Sequence, residues 1–169
     1  MLSYILAVVC GLAVLGIDQY TKYIANTAHL KGEFSQPIEF INGIIEFEYT
    51  ENTGGAWGVL SGYTWILLAL TVVVMLICVT LLLKSGLKSK LLFWAISLVI
   101  SGGAGNLIDR IFRDGSVVDF LHFEFYPTFP IFNVADIAVV IGAGLLILYF
   151  VLDTIKEAKK AKAVTKNDE

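Results

Sequence analysis

The run Val117-Val118-Asp119-Phe120-Leu121, followed by Phe132-Asn133-Val134-Ala135-Asp136-Ile137, decides how the chain is read. It sets one carboxylate just before a long apolar helix and a second within that helix's first turns. A carboxylate in or beside a bilayer costs a few kcal/mol on insertion scales. Two at one depth therefore point to a shared site, and the rest of the chain reads as the means of placing that pair at a membrane surface.

Around this stretch the composition is that of a membrane protein. The chain has 169 residues, 57% of them hydrophobic, and a mean hydropathy of +0.77. That exceeds what a soluble core of this size needs, so the surplus faces lipid. Four segments, 2–25, 60–83, 91–111 and 131–152, match the roughly 20 apolar residues that cross a bilayer. Residues 2–17 lack a basic leader and a small-x-small cleavage motif, and read as a retained membrane helix. The net charge is only −3, with no basic stripe bearing interleaved aromatics, which speaks against nucleic-acid binding. Cys10 and Cys78 lie in apolar runs and read as small buried hydrophobes, so neither a disulfide nor a metal site is expected.

Orientation follows from lysine. Lys84, Lys88 and Lys90 crowd one short loop, and Lys156, Lys159, Lys160, Lys162 and Lys166 fill the C-terminal tail. The positive-inside rule makes both cytoplasmic. With four crossings, the N-terminus is also cytoplasmic and the loops 29–59 and 112–130 are extracytoplasmic. The fold class expected is thus an all-α polytopic membrane protein with four transmembrane helices and a small extracytoplasmic β-sheet. Residues 1–153 form one membrane-embedded domain, and 154–169 a lysine-rich tail that is frayed. The sheet is expected from Ile38-Glu39-Phe40-Ile41 and Ile44-Ile45-Glu46-Phe47-Glu48-Tyr49, split by the hairpin dipeptide Asn42-Gly43. Residues 112–130 are expected as a loop with an aromatic run suited to the headgroup interface.

Polar residues gather near the outer ends of three of these helices. Asp18 and Lys22, one turn apart, share a face and can neutralise each other. Asn106, Asp109 and Arg110 share another, after the packing run Ser101-Gly102-Gly103-Ala104-Gly105. Arg110 keeps its charge and must find a carboxylate, a carbonyl or a phosphate. Asn133 and Asp136 are three apart and point the same way. Asn52 and Gly54 lie in a glycine-rich approach to the second helix, where Asn52 can cap or bind a peptide backbone. His29 and His122 are expected exposed and without a role. Two carboxylates within hydrogen-bond reach share one proton. Such a pair can take a proton from water and give one to a peptide carbonyl with no metal or covalent nucleophile.

The motifs Asp18-Gln19-Tyr20-Thr21-Lys22, Asn52-Thr53-Gly54-Gly55-Ala56-Trp57-Gly58, Gly105-Asn106-Leu107-Ile108-Asp109-Arg110, Val118-Asp119-Phe120 and Phe132-Asn133-Val134-Ala135-Asp136 resemble the signal peptidase II family of bacterial lipoprotein signal peptidases. They occur in the family's order, and together they are far more specific than any one of them. Gly55 and Trp57 depart from the family's usual Ala and Phe while keeping small and aromatic character.

The resemblance implies an intramembrane aspartic endopeptidase of the bacterial plasma membrane, without cofactor. It would cleave prolipoproteins before the diacylglyceryl-modified cysteine, with Asp119 and Asp136 as the catalytic dyad. Asp18, Lys22, Asn52, Gly54, Asn106, Arg110 and Asn133 match the supporting or substrate-binding positions. The partners implied are the lipidated precursor and membrane lipid, and the protein is expected to be a monomer. A proton-coupled transporter is the main rival, but stretches such as 67–83 and 141–152 carry no charged side chain, which argues for a one-sided site. A purely structural membrane protein is the other, in which every polar group is packing glue.

Overall fold

The computed structural model describes residues 1–33, 36–85 and 89–167, with side chains described through residue 160. Lys88 lies outside the described residues, as do the side chains of Lys162 and Lys166.

Among the described residues, four helices are long and apolar enough to cross a membrane, and they account for most of the chain. Helix α1 spans Leu2–Leu30, past the expected end near residue 25. Its stop is a glycine device: Gly32, at φ 78°, donates to His29 O, and Glu33 donates to Ala28 O. That is a Schellman closure, which the Lys31-Gly32 pair signals in the sequence. Strands β1 (Ile38–Ile41) and β2 (Ile45–Asn52) form the expected antiparallel hairpin. Gly43 takes φ 71° in the turn and Ile44 N–H closes it on Ile41 O. After a single 3₁₀ turn at Ala56–Gly58, α2 runs Thr64–Ser85. It begins later than expected because Gly58 and Gly62 adopt positive φ, 66° and 83°, which breaks the helical path.

Helix α3 (Lys90–Phe112) is capped by the Ser89 hydroxyl, which accepts from Leu92 N–H. Strand β3 (Val117–Phe123) follows, in a segment expected to be loop. It pairs antiparallel with β2, giving the order β1-β2-β3. The alternating pattern was present, with Val117 and Asp119 on one face and Val118 and Phe120 on the other, but the aromatic run hid it. Helix α4 (Val134–Asn167) starts three residues later than expected and runs far beyond residue 152. The Lys-, Glu- and Ala-rich tail, expected to fray, continues as helix through Asn167, as those residues' propensities favour.

Helix α3 is the spine, packing against α1, α2 and α4. Gly102 permits the tightest approach, since a Cβ there would strike the Ala135 carbonyl and the Val139 side chain. Lower in the bundle, Cys78, Leu92, Ile96 and Val99 form one buried cluster. Ala25, Val118 and Phe120 form another, which seats the sheet on α1. Finally, Phe132 and Leu121 exchange backbone hydrogen bonds of 2.9 Å in an isolated bridge, drawing the two halves of the opening run together.

Candidate active site

Asp119 sits on β3 and is buried, and Asp136, in the first turn of α4, is half-buried. Asn133 joins them. Its side-chain oxygen accepts the Asp136 N–H at 3.0 Å, while Asp136 Oδ2 accepts the Asn133 N–H at 3.1 Å. This reciprocal arrangement is a capping box with an aspartate in its third position, so the start of α4 itself fixes the Asp136 carboxylate. With its oxygen committed to a backbone N–H, Asn133 must turn its amide nitrogen the other way. There it donates to Asp119 Oδ1 at 2.6 Å.

Two more asparagines obey the same logic. Asn52 Oδ1 accepts the Gly54 N–H at 3.0 Å, so its nitrogen faces Asp119 Oδ2, at 2.8 Å. Gly54 has no room for a side chain, because a Cβ would meet the Ser61 hydroxyl and Gly58. Asn106 Oδ1 accepts from the Lys22 ammonium at 2.9 Å, so its nitrogen donates to Asp136 Oδ1 at 2.7 Å. An ammonium and a backbone N–H can only donate, which settles the orientation of all three amides. Each carboxylate oxygen thus receives one fixed donor.

Behind the asparagines lies a buried ion cluster. Lys22 is 3.0 Å from Asp18 and 3.2 Å from Asp109, all three nearly inaccessible to solvent. Asp18 also accepts the Ala135 N–H at 2.8 Å, and Asp109 accepts the Val118 N–H at 3.1 Å. The cluster therefore grips the backbone beside each member of the pair: Ala135 precedes Asp136, and Val118 precedes Asp119. Gln19 donates within 3.3 Å to Asp18, Asp109 and Gly105 O. Gln19 and Asp109 were absent from the residues expected at the site. Their signal was available, because each is a polar side chain adjacent to, or one turn from, a residue that was included.

The pair opens into a cleft of about 310 Å³ bordered by Asn52, Trp57, Arg110, Phe129 and Val139. Arg110 is 9% exposed, and its Nε is buried with no hydrogen-bond partner among the described residues. Trp57, at φ 55°, meets Phe129 edge-on at 6.1 Å across the mouth. Burial, reinforced by the Asp136 charge, pushes the Asp119 carboxyl up to about 7, against the lowering effect of Asn52, Asn133 and Lys22. The expected sites thus gather at one level of the fold, with Asp18, Lys22 and Gly54 reaching the pair only through asparagines and backbone.

His122 corrects an expectation. It is 8% exposed rather than free, and Nδ1 lies 2.8 Å from Glu46 and 3.2 Å from Glu48. These three residues are one group among the described residues whose ligand atoms lie close enough to hold a metal ion. Nε2 faces the Pro127 carbonyl at 3.4 Å, and the contacts with Glu46 and Glu48 tie β3 to β2. The trio lies outside the cleft. His29, also given no role, stacks on Tyr49 at 4.0 Å.

Comparison with known proteins followed the same lines. A family model described as Signal peptidase (SPase) II matches residues 10–152. A lipoprotein signal peptidase of Bacillus pumilus is 39% identical over 166 residues, covering 98% of this chain and 99% of that one. One from Enterococcus faecalis is 39% identical over 149 residues, covering 88% and 89%. A solved bacterial membrane enzyme, obtained by the in meso method at 2.3 Å resolution, superposes with a TM-score of 0.78. It is 32% identical and covers 88% of each chain.

Proposed function

The chain belongs to the signal peptidase II family, and from that premise we propose how it works: it removes the signal peptide of a prolipoprotein, cutting before the diacylglyceryl-modified cysteine with water activated by Asp119 and Asp136. The family is one of aspartic endopeptidases, and this is a multi-pass cell-membrane protein. The observation that carries the mechanism is the Asn133 bridge, which holds the two carboxylates in register at the wall of one cleft.

With one proton between them, one carboxylate takes a proton from water as the oxygen adds to the scissile carbonyl. The other gives its proton to the carbonyl oxygen. As the tetrahedral intermediate collapses, the C–N bond breaks and the proton taken from water passes to the leaving nitrogen. The products are a free carboxyl on the signal peptide and an amine on the lipidated cysteine. The pair regains its single proton. Arg110, whose Nε lacks a partner in the cleft wall, donates to a substrate carbonyl. Asn52 orders the adjoining loop through Gly54. Asp18, Lys22, Asn106 and Asn133 position the pair without touching substrate.

The domain is residues 1–153, the termini are cytoplasmic and the cleft faces the extracytoplasmic side. Supporting this, Lys84, Lys90 and Lys156 lie at the bundle end away from the cleft. The lipid anchor keeps the precursor's acyl chains in the outer leaflet and delivers the scissile bond at the depth of the pair. A transmembrane proton relay would need charged groups to continue inward, and 137–152 of α4 contains none.

The test is cleavage of a lipidated precursor peptide by the purified protein. Asp119→Asn and Asp136→Asn should each lower the rate by about 10³-fold or more while inserting normally. Wild-type rates from both would end the assignment. A precursor without the diacylglycerol should be cut poorly, and efficient cutting would refute delivery by the lipid.

A further inference from the structure

A second cleft, of about 700 Å³, opens at the opposite end of the bundle. Lys84 ends α2, Lys90 begins α3 and Lys156 lies on α4, so three helices each contribute one ammonium group. Asp153 is the single carboxylate on its wall among the described residues. None of the three ammonium groups lies within 4.0 Å of a carboxylate among the described residues. Counting Lys84, Lys90 and Lys156 against Asp153, the cleft carries two positive charges in excess. The N-terminus of α3 also ends here, and its dipole adds to the attraction for an anion.

Depth identifies the kind of anion. Asp136 and Lys156 lie on the same helix, 20 residues apart, which at 1.5 Å per residue is roughly 30 Å. That is about the thickness of a bilayer's hydrocarbon core. If the carboxylate pair lies at one membrane interface, this cleft lies at the other, among headgroups. Its remaining wall is amphipathic: Tyr4, Leu91, Tyr149 and Leu152 offer apolar surface beside the charges. An occupant with a phosphate at one end and acyl chains at the other fits both halves of that wall. We propose that the cleft between Lys84, Lys90 and Lys156 binds the phosphate headgroup of an anionic phospholipid, its chains lying along α2 and α4. Basic pockets between transmembrane helices bind such headgroups.

The full chain, purified in a neutral detergent, is titrated with phosphatidylglycerol, with phosphatidylcholine of the same chains, and with inorganic phosphate. Binding is read by native mass spectrometry and by the shift in melting temperature. Phosphatidylglycerol should bind and stabilise, and the other two should do so at least tenfold more weakly. Replacing all three lysines by Gln should weaken phosphatidylglycerol binding by about 10²-fold, near fivefold per lysine. The single variants should each show their share, which keeps the test decisive if the triple variant folds poorly. Lys159→Gln with Lys160→Gln, which removes charge from the same helix outside the cleft, should change binding less than twofold. The proposal is overturned if phosphatidylcholine binds equally, which means no charge recognition. Equal binding of inorganic phosphate, meaning a soluble-anion site, or an equal loss in the control pair, meaning a diffuse field, overturns it as well.

Discussion

Helices α2 and α3 are of nearly equal length and of opposite character. In its most apolar stretch α2 has 6% of its residues buried, and Cys78 is its one buried side chain. The corresponding stretch of α3 is 39% buried, and that helix carries Gly102, Gly103, Gly105, Asp109 and Arg110 in the interior. Helix α2 has one helical neighbour that it packs against closely, whereas α3 has three. The difference teaches how polarity is afforded in a membrane: charge and amide groups are carried where other protein covers them, and a helix that mostly faces lipid carries no charge before Lys84 at its end. Helix α3 is therefore where sequence change should be felt, and α2 where it should be absorbed.

The sharpest way to probe that contrast is Lys22→Met, which strips the counter-ion from Asp18 and Asp109 where α1 meets α3. Removing one partner of a buried ion cluster costs about 3–5 kcal/mol. The variant should melt far below the parent in detergent, and an unchanged melting temperature would mean the cluster does not hold the helices. Next is Gly102→Val on α3, where a side chain meets the Ala135 carbonyl and Val139. Overpacking of this kind costs about 1–3 kcal/mol. Because Asp136 follows Ala135, displacement of α4 should also slow cleavage by about 10²-fold. Normal turnover would show that α4 tolerates displacement from the spine.

The effect of pH falls on the sheet side of the pair. The Asp119 carboxyl is ordinarily near 3.8 and is pushed up to about 7 by burial. Between those values the native state holds a proton that the unfolded chain has released. This group's contribution to stability therefore falls as pH rises from about 4 through 7. Melting temperatures should decline over that range, and less so in Asp119→Ala. The cleavage rate should also fall above about pH 7, as the pair loses its shared proton, and a rate level to pH 9 would contradict this. The smallest effect is expected on α2: Val73→Ala, at a position 49% exposed, should shift stability by no more than about 0.5 kcal/mol. A large loss there would break the contrast outright.

Much of this was legible before any coordinates. Hydrophobic runs near the length of a bilayer crossing are one-dimensional signals, so the helices could be counted directly. The Asn42-Gly43 hairpin is equally local. Strand β3 was not legible, because its seven residues acquire strand character only by pairing with β2, more than sixty residues earlier. The true start of α4 lies three residues beyond the expected one, although Asn133, a cap followed three residues later by a carboxylate, is a start signal in its own right. Asp109 and Gln19 were undervalued for a related reason. Both act on partners far away in the chain, and spacing along one helix says nothing about what faces it. His122 read as an isolated surface histidine because its glutamate partners lie across the sheet.

The residue sequence alone determined that the chain is built for a membrane, that it has four helices of crossing length, and that carboxylates and amides cluster toward one end of them. These follow from transfer energies and helical periodicity, which act within a segment. Only the tertiary structure decided which way each asparagine faces, which atoms receive the Lys22 ammonium, and that Asn133 spans the two aspartates. Hydrogen bonds have direction, and a donor's direction is set by whatever holds its other end. Here those ends are held by backbone and charge brought from distant parts of the chain.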